Sequence, residues 1–148
     1  MRSDMGIPGT VRAAFIVWLV AVAAGVFETV LVVGSGRAGD GAGAGVAVRA
    51  AIFVAATLVA LKMRTGRRWA RLTLAVGLGV LGTLSLIVGP LLWLIHGHSL
   101  TPLLAHATAL DLTFGSSRVV HVAAVLAGCV LMFVPSANAY FRDPHPAS

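Results

Sequence analysis

Lys62-Met63-Arg64-Thr65-Gly66-Arg67-Arg68-Trp69-Ala70-Arg71 carries five of the chain's eleven Lys and Arg residues, between two long apolar runs. Short Lys/Arg-rich loops stay on the cytoplasmic side of a membrane, so a cationic stretch in that setting fixes orientation. The rest of the chain agrees with a membrane setting. Of 148 residues, 58% are hydrophobic and only 11% are charged, and the mean hydropathy is +0.94. A soluble domain carries about a quarter charged residues. Too little polar surface remains here to cover a water-exposed globule, which places the chain among integral membrane proteins.

Upstream of the cationic loop, taken as residues 62–71, the second span covers about 46–62, with Arg49 near its start. The span is short, and Arg49 can snorkel to the interface. Before it lies a glycine-rich outer loop, 34–45, where glycine at this density predicts a flexible segment. Gly34, Gly36 and Gly39 match G-x-G-x-x-G. The motif needs a strand before it and a helix after it, so a dinucleotide site is rejected. The first span covers about 13–34, and from Ala13 to Val33 only Glu28 and Thr29 are polar. At about 1.5 Å per residue that run reaches about 31 Å, enough to cross the hydrocarbon core. A signal peptide cut after Ala21-Val22-Ala23 is the rival reading, but the apolar run continues past that point.

Downstream, the third span covers about 71–95 and includes Gly77, Gly79, Gly82, Gly89 and Pro90. Pro90 removes a backbone donor and predicts a kink in the last third. Gly82, Ser85 and Gly89 share a face on which another helix can approach closely. The outer loop 96–116 holds His96, His98, His106 and Asp111, and Thr101-Pro102 can start a short helix there. The fourth span covers about 117–135, with Arg118 and His121 near its start. A tail with Tyr140, Phe141 and Arg142 follows.

Four spans put both termini on the side of the cationic loop. That side collects Arg2, Arg12, Lys62, Arg64, Arg67, Arg68, Arg71 and Arg142, against Arg37, Arg49 and Arg118 on the other. The predicted fold is all-α: a transmembrane four-helix bundle forming a single domain, 1–148, with both termini cytoplasmic. Uninterrupted apolar spans allow only helices, since every backbone donor and acceptor must be paired in lipid. The net charge of +6 sits beside apolar spans. Its expected partners are therefore anionic lipid headgroups at the inner face rather than nucleic acid. Lys62, Arg64, Arg67, Arg68, Trp69, Arg71, Tyr140, Phe141 and Arg142 are read as inner-interface anchors. Cys129 is the only cysteine, so no intrachain disulfide forms.

Two boundary motifs carry a resemblance. Gly66-Arg67-Arg68-Trp69-Ala70-Arg71 resembles the G-R-x-W-A-R stretch of small four-pass membrane proteins of actinobacteria. Pro135-Ser136-Ala137-Asn138-Ala139-Tyr140-Phe141 is similar to their P-x-x-N-x-Y-F ending. The resemblance implies a multi-pass fold in a bacterial plasma membrane and implies no activity. A composition rich in Ala, Val, Gly and Arg fits a high-GC bacterial source.

Glu28 is the one acidic residue inside a span. An ionisable group in the bilayer costs on the order of 3 kcal/mol on insertion scales and faces the protein interior. Its face, with Ala21, Ala24 and Gly25, is a packing face. Glu28 and His121 fall at matching depth, about 9 Å and about 7.5 Å below the outer ends of their spans. They are expected to pair, with Arg118 or Arg49 as competing partners. The pair either holds helices in register or carries a proton. Small four-span multidrug exporters also place a Glu in their first helix, and a small multidrug- or proton-coupled transporter using Glu28 is the alternative function. The strong charge bias and the two long loops favour a structural or accessory membrane protein, acting with a membrane partner or as a homo-oligomer.

His96, His98, His106 and Asp111 are the one metal-like cluster, since His-x-His places both rings on one side of an extended segment. The spacing to His106 matches no diagnostic pattern, and solvated loop histidines are the competing reading. Only His121 lies inside a span, which disfavours haem. No nucleophile–base–orienter set is visible. Neither enzymatic activity nor a cofactor is expected.

Overall fold

The computed structural model describes residues 6–37, 39 and 42–142. Arg2 of the charge count, and Asp4, Asp40 and Asp143, lie outside the described residues. Every regular element described is helical: α1 (Gly9–Gly34), α2 (Ala42–Arg64), α3 (Arg68–Ile95), α4 (Leu100–Ala105), α5 (Ala109–Phe133) and α6 (Pro135–Arg142). Four of them, α1, α2, α3 and α5, are long and apolar enough to cross a membrane. The chain is an all-α, multi-pass membrane protein.

Helix ends explain where the boundaries depart from the hydropathy reading. The first helix starts at Gly9 because Pro8 precedes it as N-cap, its carbonyl accepting from Val11 and Arg12. The second starts at Ala42, inside the stretch read as a flexible glycine loop. α5 starts at Ala109, so the second half of the 96–116 loop is helix. A capping box sets that start: the Thr108 hydroxyl accepts from Asp111 N, and the Asp111 carboxylate accepts from Thr108 N. The short helix foreseen at Thr101-Pro102 runs Leu100–Ala105, with Ser99 rather than Thr101 at its N-cap.

The cationic loop is a tight turn. Gly66 has φ +80, its N–H reaches Met63 O at 2.9 Å, and Arg67 N reaches Lys62 O at 3.3 Å. This is a Schellman ending, and its left-handed residue favours glycine. Arg68, Trp69 and Arg71 are thereby already helical. Within α3, Leu74–Gly82 is wound as π-helix. The helix continues through Pro90 to Ile95, so the departure from α-geometry lies well before the proline.

α1 and α5 form the largest helix–helix contact. Buried positions in α1 are Val11, Ala14, Trp18, Ala21, Gly25 and Glu28, alternating steps of three and four. That is the 3.5-residue period of a left-handed helix pair. Facing them on α5 are Ala124, Val125, Gly128 and Met132. Gly128 accommodates the Trp18 indole, since a Cβ there would sit 3.0 Å from it. A Cβ on Gly25 would meet Phe53 of α2 at 2.7 Å and His121 at 3.2 Å. Small residues thus set the interhelical distances.

The packed core sits toward the end that carries the cationic turn, where Met63, Ala70, Leu74, Ala137 and Phe141 join the α1–α5 pair. α3 packs against the bundle from that end as far as Gly79, where a Cβ would sit 2.6 Å from Cys129 Sγ, and beyond Leu74 none of its residues is buried. Gly82, Ser85 and Gly89 receive no neighbouring helix. A Cβ at Gly89 meets nothing, and one at Gly82 meets only its own helix. Ser85 donates to Gly82 O.

Candidate functional site

The loose packing of α3 leaves a cavity of about 700 Å³ between α1, α2, α3 and α5. The side chains that line its far end, away from the cationic turn, come from four segments: Glu28 and Thr29, Arg49 and Phe53, Thr83 and Ser85, Arg118 and His121. Trp18, Ala56, Val59 and Leu74 line the opposite end. An apolar cavity of this size with a few convergent polar groups is the usual form of a small-molecule site.

The structure brings Glu28 and His121 together. Glu28 Oε1 lies 3.5 Å from His121 Nδ1, with side chains 10% and 19% exposed. The distance is that of an ion pair, but the alignment is not that of a hydrogen bond, and both atoms are buried without a hydrogen-bond partner. The two groups touch without being locked. Arg118 and Arg49 line the same cavity, and neither pairs with a carboxylate among the described residues. The Arg118 guanidinium lies 5.4 Å from the Phe114 ring centroid and leaves its Nε buried and unpartnered. Trp18 Nε1 and Thr83 Oγ1 are also buried without a partner. Five unpartnered polar atoms therefore belong to side chains that line one cavity. Buried polar groups are rarely left so.

Trp18, Phe53 and Thr83 are the cavity residues that hydropathy does not reveal. Trp18 had a signal, since it continues the Ala21, Gly25, Glu28 face one turn earlier. Thr83 and Phe53 had none, because nothing local marks which side of a uniformly apolar helix faces its neighbours.

The candidate metal cluster does not assemble. His96 Nδ1 lies 2.6 Å from Leu92 O, and His98 Nδ1 lies 3.0 Å from Trp93 O with its ring stacked on the Trp93 indole. His106 is exposed at the C-cap of α4. Asp111 accepts from Thr108 through one oxygen and from Arg37 at 2.8 Å through the other. Among the described residues no three His, Cys, Asp or Glu side chains could hold a metal ion. The ring nitrogens satisfy nearby carbonyls, and Asp111 serves helix capping and an ion pair.

The anchors divide. Lys62, Arg67 and Trp69 are exposed. Others form a clamp. Arg68 donates through Nε to Phe141 O and through Nη2 to Arg142 O. These are orphan carbonyls at the end of α6. Arg71 Nη1 donates to Asn138 Oδ1 at 2.7 Å and to Met132 O at 3.2 Å, with its guanidinium over Phe133 and Phe141 at 4.6 Å and 4.9 Å. Asn138 donates to Phe133 O, and the Tyr140 hydroxyl donates to Arg64 O at 3.0 Å. Arg64 in turn lies over the Phe15 ring. Burial pushes the Tyr140 hydroxyl above its ordinary pKa, the Arg64 charge acting against it. Phe141 is buried at 2% exposure, so it is a core residue and not a lipid-facing anchor. The two boundary motifs at 66–71 and 135–141 are thus the two halves of one contact. Comparison of the chain with protein-family models, with curated proteins and with solved structures finds no match.

Proposed function

We propose that the protein is a multi-pass component of a bacterial plasma membrane that takes a small ligand into the cavity between its helices, acting by binding rather than covalent chemistry. The cationic end faces the cytoplasm in this reading, and the cavity's polar end faces outward. One observation carries the proposal: Trp18, Glu28, Thr83, Arg118 and His121 each leave a buried polar atom without a partner, and all five residues line one cavity. A purely structural polar pair would be expected to satisfy its own atoms. An accessory role and a carrier role share this site. They differ in whether Glu28 changes protonation when the ligand moves.

The test is native mass spectrometry of the full chain released from its own membranes. A small-molecule adduct should accompany the wild-type protein and be absent from Ala56→Phe, which fills the cavity wall. Adducts equally abundant in both, or absent from both, would contradict the reading. Where an adduct is found, reconstitution with a pH-sensitive dye separates the two roles. Ligand-driven proton flux lost in Glu28→Gln marks a carrier.

A further inference from the structure

Polarity is graded along the cavity. On α1 it runs from Trp18 to Glu28, and on α2 from Val59 back to Arg49. Ten residues of helix in each case correspond to about 15 Å. That is about the depth of one leaflet of a hydrocarbon core roughly 30 Å thick. The charged and hydroxyl groups gather at one end. Trp18, Ala56, Val59 and Leu74 make the other end apolar.

Charge at the polar end is unbalanced. Arg49 and Arg118 face one carboxylate, Glu28, which lies against His121 rather than against either guanidinium. The only other ion pair among the described residues, Arg37–Asp111, lies outside the cavity. Arg118 is half-buried and Arg49 exposed, and a guanidinium held beside a hydrocarbon phase, as Arg118 is here, is costly without counter-charge. Arginine is well suited to carboxylate and phosphate oxygens, which it can engage through two parallel hydrogen bonds. The wall supplied by α3 has no buried residue beyond Leu74, so that side of the cavity borders the lipid phase.

We propose that the cavity binds an amphiphile with an anionic head, seating the head between Arg49 and Arg118 and the hydrocarbon chain along Trp18 toward Leu74. The ligand enters sideways from the bilayer past the outer part of α3. This deepens the binding function proposed above and rests on it. A fatty-acid carboxylate and a phospholipid phosphate share the required chemistry. Glu28 repels such a head and limits affinity, so the site can release what it takes. A cationic drug would meet the opposite field: attracted by Glu28 and opposed by both arginines.

Quenching of Trp18 tests this. The full chain carrying Trp69→Phe and Trp93→Phe, which leaves Trp18 as its sole tryptophan, is placed in phosphatidylcholine vesicles. It is titrated separately with dibromostearate, with dibrominated phosphatidylglycerol and with a brominated alkyltrimethylammonium. Brominated phosphatidylcholine sets the background. Saturable quenching above background by either anion supports the proposal, and the anion that quenches identifies the head as carboxylate or phosphodiester. Arg49→Gln with Arg118→Gln should weaken it by at least about tenfold. Glu28→Gln should strengthen it several-fold, a gain that a misfolded variant cannot produce. Saturable quenching by the ammonium alone, abolished by Glu28→Gln, would keep the binding cavity and overturn the anionic ligand. No saturable quenching by any of the three would overturn this proposal, while the binding reading stands or falls with the native mass spectrum of wild type against Ala56→Phe.

Discussion

Arg71 and Arg118 each sit on a long apolar helix and pack against aromatic rings, Arg71 in the first turn of α3 and Arg118 ten residues into α5. Their surroundings differ. Arg71 Nη1 meets Asn138 Oδ1 and Met132 O, and its plane lies over Phe133 and Phe141. Arg118 has Phe114 alone; Nε is buried without a partner in both arginines, and of the two only Arg71 has a guanidinium nitrogen that donates within the fold. The cationic end of the bundle is closed by contacts between segments far apart in sequence, and its arginines are structural. At the far end the same residue type is held at a cavity wall with its hydrogen-bonding capacity unfilled. An arginine held by hydrogen bonds within the fold stabilises it. One whose donors face a cavity is available to a ligand.

The widest test of this contrast is orientation, which is all-or-none. Cysteine in place of Ser35, just beyond α1, should react with an impermeant thiol reagent added to intact cells, and cysteine in place of Thr65 should not. The native Cys129 is replaced by Ala in both. The reverse pattern would put the cavity's polar end on the cytoplasmic side.

The next test sets the two arginines against each other. Arg71→Leu removes two hydrogen bonds and two cation–π contacts, and should lower stability in detergent by about 2 kcal/mol. Arg118→Leu removes a charge that is half-buried and unpartnered, and should be near neutral or stabilising. Thermal melting of the two variants side by side reads the difference. Equal losses would show that Arg118 is as structural as Arg71 and would remove the reason to look for a ligand.

How much of this could be read beforehand follows from which forces leave local traces. Hydropathy located all four spans, because insertion depends on a sum over about 20 residues and not on the fold. The face of α1 toward α5 was legible through its small residues, since close helix approach in lipid requires them. Matched depth likewise placed Glu28 beside His121 without any contact being visible. The clamp was hidden. Arg68 and Arg71 meet α6 some 70 residues away, and Arg, Tyr and Phe at a membrane boundary look the same whether they face headgroups or carbonyls. The early start of α5 was hidden for another reason: Thr108 and Asp111 carry the capping pattern, but a hydropathy boundary passes over it. Spacing left the loop histidines open between metal ligands and solvated side chains; His96 and His98 turn to carbonyls of their own helix end, which spacing alone does not show.

The smallest effect expected is the coupling between Glu28 and His121, and it bears most directly on what the pair does. The side chains touch at 3.5 Å without hydrogen-bond alignment. They stand at the edge of a cavity, where a ligand or water can offset part of the desolvation. A locked buried pair would lose about 3–5 kcal/mol when one partner is removed. Here His121→Leu should cost about 1 kcal/mol, by leaving the Glu28 carboxylate half-desolvated beside an apolar group. Adding Glu28→Gln removes that charge, so the double variant should be no less stable than His121→Leu alone. A double-mutant cycle on thermal stability then gives a coupling of about 0.5–1 kcal/mol. Strictly additive losses would sink the pairing. A coupling of several kcal/mol would instead make the pair a helix lock, and Glu28 would then be unavailable to respond to a ligand.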